Sequence, residues 1–97
     1  MATYIGLYKW TKQGLTDVKD SPARAQAGVK AVEAAGGKVL GLWYTDGEYD
    51  MVAVAEWEDE AALSSFLTAL VAQGFVHVTP LRARTPEEFA QIVELIP

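Results

Sequence analysis

The chain of 97 residues contains no cysteine. Disulfides, thiolate nucleophiles, iron–sulfur clusters and cysteine-bound zinc are excluded together. It holds one histidine, His77. A single imidazole with no acids at ligand spacing around it makes neither a paired-histidine nor a facial-triad metal site, so no metal and no other cofactor is expected. Positive charge is sparse as well: 8 Lys and Arg stand against 13 Asp and Glu, for a net charge of −5. Without a basic stripe to neutralise phosphates, neither nucleic acid nor an anionic membrane surface is an expected partner. No apolar run approaches the roughly 20 residues of a transmembrane helix. The opening MATYIGLYKW lacks the basic region, apolar stretch and small-residue cleavage site of a signal peptide, so a cytoplasmic protein is expected. A nucleophile elbow, a P-loop and a dinucleotide glycine pattern are also missing.

What the chain does have is apolar and aromatic weight. Hydrophobic residues make up 51% of it, with three tryptophans, Trp10, Trp43 and Trp57, among the aromatics. Side chains of this size usually fill cores and interfaces. The length fits one domain spanning residues 1–97.

Periodicity divides the domain. TYIGLYKW, 3–10, reads as a strand with Ile5 and Leu7 on one face and Tyr4, Tyr8 and Trp10 on the other. A polar connection follows, with room for one helical turn. SPARAQAGVKAVEAAGG reads as a helix with Ser21 as cap and Pro22 at its first position. Its stripe of Ala25, Val29 and Val32 predicts close seating on a sheet. KVLGLWYT, 38–45, and YDMVAVAEW, 49–57, are strands joined through Asp46-Gly47-Glu48, a link of hairpin length. Asp59 caps a helix whose apolar face is Leu63, Phe66, Leu67 and Leu70. FVHVTPLRA is a fourth strand, and Pro80 marks it as an edge or its end. TPEEFAQIVELI has Thr85, Pro86 and Glu88 where a capping box needs them, then Phe89, Ile92, Val93 and Ile96 on one stripe.

The order β-α-β-β-α-β plus a terminal helix predicts an α+β, ferredoxin-like sandwich with a four-stranded antiparallel sheet. Right-handed crossovers put the third strand between the first and second, and the fourth beyond the first. One face of such a sheet is usually wet, with polar and apolar residues alternating. Here both faces are apolar: Val52 and Val54 oppose Met51, Ala53 and Trp57, and the second strand sets Leu40, Leu42 and Tyr44 against Val39 and Trp43. An exposed face of that kind calls for cover, so a homo-oligomer built sheet to sheet is expected. The alternative is a terminal helix folded back over it within one chain.

This topology also gathers residues at one rim. Lys9, Trp10, Tyr49, Asp50 and His77 all fall at the same end of the sheet, which makes them the candidate ligand-binding group. Asp50 and His77 are the candidate bases, and Lys9 a candidate for stabilising an anion. Each also has a plainer role: Asp50 in the hydrogen bonds of its turn or paired with Lys9, Tyr49 and Trp10 in packing, His77 as an alternating strand residue.

The motifs K-W-T-x-Q-G (Lys9 to Gly14), K-D-S-P-x-R, A-G-G-K and G-E-Y-D (Gly47 to Asp50), in this order over nearly the whole chain, resemble the GYD family. The resemblance implies a fold of the dimeric α+β barrel type. Proteins of that fold include cofactor-free monooxygenases, haem-degrading enzymes and ligand-sensing modules, but a fold does not fix a function. The leading expectation is an oligomeric module that binds a small organic molecule between sheet and helices. A metal-free oxygenase or isomerase is the second, with haem on His77 as a variant. A purely structural association domain is the third.

Overall fold

The computed structural model describes the whole chain, Met1–Pro97. Large side chains alternating along the first residues form β1 (Ala2–Trp10), the strand on which the sheet is built. It pairs antiparallel with β3 (Met51–Trp57) on one side and β4 (Val76–Ala83) on the other. β2 (Lys38–Tyr44) pairs antiparallel with β3, giving the order β2-β3-β1-β4. This is the predicted ferredoxin-like α+β topology, with Pro80 on an edge strand where its missing N–H costs no ladder bond. No helix is long and apolar enough to cross a membrane.

The second strand departs from simple alternation. Its register against β3 shifts between Val39 and Gly41. The extra residue of this bulge, Leu40, is exposed, and Val39 and Leu42 both pack into clusters under the helices. Trp43 is left on the other face and is 55% exposed.

Two long helices cover one side. In α2 (Ser21–Ala34) the N-cap is Asp20, not Ser21, and Asp20 makes no side-chain capping bond. Ser21 is instead buried, its hydroxyl 3.0 Å from that of Tyr44. In α3 (Glu60–Ala72) Asp59 caps as expected, accepting from the Ala61 N–H at 2.9 Å. The core beneath them is split. Tyr8, Met51 and Val76 form one buried cluster; Val32, Trp57 and Leu63 form the other. The predicted close seating of α2 therefore holds near Val32 alone.

Two remaining helices complete the chain. The short α1 (Lys12–Thr16) is seated against the turn that enters β4, where the Thr11 N–H donates to the Phe75 carbonyl at 3.0 Å. Gly14 lies so close to that carbonyl that an added Cβ would overlap its oxygen. At the far end α4 (Pro86–Val93) carries the complete Thr85–Glu88 capping box and a 3.7 Å ion pair between Arg82 and Glu88. It does not fold back over the sheet. Its Phe89 is 58% exposed, and Val93, Leu95 and Ile96 are exposed with it. The radius of gyration, 14.8 Å, exceeds the about 12.5 Å of a compact chain this long. The open face of the sheet carries Ile5, Leu7, Val52 and Val54, flanked by the exposed Trp43 and Leu81.

Two glycines should respond in opposite directions to alanine. Gly14→Ala forces a methyl group against fixed backbone and should destabilise by about 1–3 kcal/mol in urea unfolding. Gly28→Ala, in mid-helix with nothing within 4 Å of the new carbon, should stabilise by up to about 1 kcal/mol. A neutral Gly14→Ala would show that α1 is not held against Phe75.

Candidate functional site

Because the two buried clusters sit at opposite ends of the sheet, the space between them is unfilled. A cavity of about 620 Å³ lies there, between the sheet and the two long helices. Its floor comes from one face of the sheet, on which Tyr4, Gly6, Tyr8 and Trp10 alternate along β1 beside Met51, Ala53 and Ala55 of β3. Its walls are Ala25, Gly28 and Val29 of α2 and Phe66, Leu67 and Leu70 of α3. Small side chains on α2 would permit a tight fit, but polar and aromatic contacts prop the start of that helix. Arg24 lies over the Phe75 ring, 4.2 Å from its centre, and Ser21 meets Tyr44. Tyr44 in turn lies against Trp10, with ring centres 6.3 Å apart.

Of the 27 residues lining the cavity, 21 are hydrophobic, so the few polar groups decide what it can recognise. Tyr8 is one of them. Burial pushes its hydroxyl pKa up, so it stays neutral and able to donate. Arg24 is another. Its Nη1 donates to the Asp17 carbonyl at 3.0 Å, and its Nη2 is cut off from solvent without a partner.

The five rim residues do meet at one end of the sheet, but the sheet divides them. Trp10 lies on the helix side and lines the cavity. Lys9 and His77 are cross-strand partners on the other side, both exposed. The Lys9 ammonium stands 5.2 Å from the Tyr49 ring centre and 4.0 Å from Glu48. Asp50 ties the rim together: its Oδ2 accepts the Trp10 N–H at 2.8 Å, and its own N–H donates to the Tyr8 carbonyl at 2.8 Å. The preceding turn closes through Thr45, whose N–H donates to the Asp50 carbonyl at 2.9 Å and whose hydroxyl donates to the Tyr49 carbonyl at 2.6 Å. Gly47 turns the chain at φ +130°, which an L side chain rarely adopts. The G-E-Y-D stretch thus extends the β1–β3 ladder by a side chain where the backbone ladder ends.

Reasoning from sequence passed over Tyr8 and Arg24. Tyr8 had a signal, since its parity matches that of Trp10. Arg24 had none, because a basic residue in the first turns of a helix looks like surface until Phe75 is brought against it.

An antiparallel sheet in this order, backed by helices on one face, defines a ferredoxin-like α+β domain. The solved structure of TTHA0845 from Thermus thermophilus has the same fold at 23% identity, with a TM-score of 0.55 over 88% of this chain and 95% of that one. The GYD domain profile matches residues 4–93, and the chain belongs to the GYD family. No curated protein matches it.

Two measurements check this geometry. Asp50→Ala leaves the Trp10 amide without its acceptor and should cost about 1–3 kcal/mol, whereas Asp50→Asn keeps an oxygen there and should cost less. Equal losses in urea unfolding would dismiss the hydrogen bond as the reason for the carboxylate. In an alkaline ultraviolet titration, one of the four tyrosines should ionise after the others. The folded pKa of Tyr8 is raised, so its contribution to stability is intact below the ordinary value of about 10. It is lost as the pH climbs through the raised value. Four tyrosines titrating together would refute the burial of Tyr8.

Proposed function

We propose that the protein is a homo-oligomeric module that binds a small organic molecule in the cavity between its sheet and helices. The observation that carries this reading is the cavity itself. The space is partly open, so in water it wets Trp10 and Phe66 in a chain that has only six buried hydrophobic residues. An apolar occupant relieves that cost. The volume also falls within the roughly 300–1,000 Å³ of ordinary ligand sites.

Self-association is supported by the other side of the molecule. Ile5, Leu7, Val52 and Val54 are half-buried on the face away from the helices, Trp43 and Leu81 beside them are exposed, and α4 holds its apolar stripe clear of its own domain. A second copy would cover both. The enzymatic alternative needs a base in the cavity. It draws less support, since the Asp50 carboxylate is bonded to the Trp10 amide and Lys9 and His77 stand across the sheet.

The test uses phenylnaphthylamine, a neutral aromatic probe that fluoresces in apolar surroundings. The wild-type protein should bind it saturably. Gly28→Leu, whose side chain would grow into the cavity, should bind it at least about tenfold more weakly while melting at a higher temperature. Binding that is absent in the wild type, or unchanged in the variant, would refute the cavity as a binding site.

A further inference from the structure

We infer that the molecule held in the cavity is an aromatic acid, its ring among the aromatic side chains and its carboxylate, or an equivalent anion, on Arg24. This inference rests on the cavity being a binding site and specifies what that site takes. A guanidinium keeps its charge under all ordinary conditions, and Arg24, half-buried in the cavity wall, would be favoured by a negative partner. The chain supplies none. Its ion pairs are Lys9 with Glu48 and Arg82 with Glu88, and Arg24 belongs to neither. The acid whose backbone Arg24 touches, Asp17, has its carboxylate engaged by the Gln13 amide at 2.5 Å. Asp20, nearby in sequence, is exposed.

The guanidinium is nonetheless held firmly. Stacking on Phe75 and donation to the Asp17 carbonyl orient it without supplying any negative charge. What remains is Nη2, the one buried side-chain polar atom in the molecule without a hydrogen-bond partner. Packing closes that donor off in the empty site, so an anion reaches it only as the side chain shifts toward the cavity, and the hydrogen bond then gained favours the shift. The aromatic half of the assignment comes from Tyr8, Trp10, Trp57, Phe66 and Phe75, all of which line the same space. Their rings favour stacked or edge-on contact with another ring. The neutral Tyr8 hydroxyl adds a donor in that space, suited to an acceptor oxygen. Net charge works against anions here, −5 for the chain, so capture of an acid has to come from this local arrangement and not from the overall field.

Two probes that share an aromatic body separate the two claims. Anilinonaphthalene sulfonate carries an anionic group; phenylnaphthylamine does not. Arg24→Met should weaken the sulfonate by about 10- to 100-fold and the neutral probe by less than about twofold. Arg24→Lys should retain part of the preference. Loss of both probes to the same degree would make Arg24 a packing residue, and no loss for the sulfonate would remove it from the site; either result overturns the inference. Should Arg24→Met fail to fold, the wild-type protein decides alone. Naphthoate should displace phenylnaphthylamine at about tenfold lower concentration than the isosteric naphthamide, and equal potency overturns the inference. If the neutral probe binds and no anion preference is found, the cavity survives and the acid does not. If neither probe binds the wild type, the binding reading itself has failed.

Discussion

The rest of the structure depends on one constraint: this sheet carries apolar side chains on both of its surfaces. An antiparallel sheet normally spends one face on its core and leaves the other to water. In β1 the residues that alternate are Tyr4, Tyr8 and Trp10 on one side and Ile5 and Leu7 on the other. Neither set belongs in solvent. Each face therefore calls for a cover, and within the chain only the helix side has one.

The helix side is covered incompletely. Buried clusters around Met51 and around Trp57 hold the helices at the two ends of the sheet. Between them Ala25 and Gly28 are too small to reach the floor, and the Arg24–Phe75 and Ser21–Tyr44 contacts keep the start of α2 propped where it is. One arrangement thus produces both the cavity and its most polar wall. The Asp50 carboxylate serves the same end from below, since its bond to the Trp10 amide fixes a ring that lines the cavity. On the proposed reading the polar groups of the rim position the cavity lining, and the groups that would meet a ligand are farther in.

The sequence made most of the architecture legible. Alternation in β1 and β3, the Asp59 cap and the Thr85–Glu88 box each follow from local rules, and connection rules then leave one strand order. The bulge at Leu40 was not legible, because a bulge is set by pairing and not by composition. Ser21 looked like a cap, and only the nearness of Tyr44 shows why its hydroxyl turns inward. The candidate site was half legible. Strand ends do bring Lys9, Trp10, Tyr49, Asp50 and His77 to one rim. Yet Lys9 and Trp10 are adjacent in a strand and must face opposite ways, so that group was bound to be split by the sheet.

The open face remains the strongest demand the fold makes, and covering it with a second copy is the central claim. Sedimentation equilibrium of the untagged wild-type protein, followed down through the micromolar range, tests it most directly. The account predicts a species of at least twice the chain mass of 10.5 kDa. A single species at the chain mass throughout, stable and fully soluble, would contradict it.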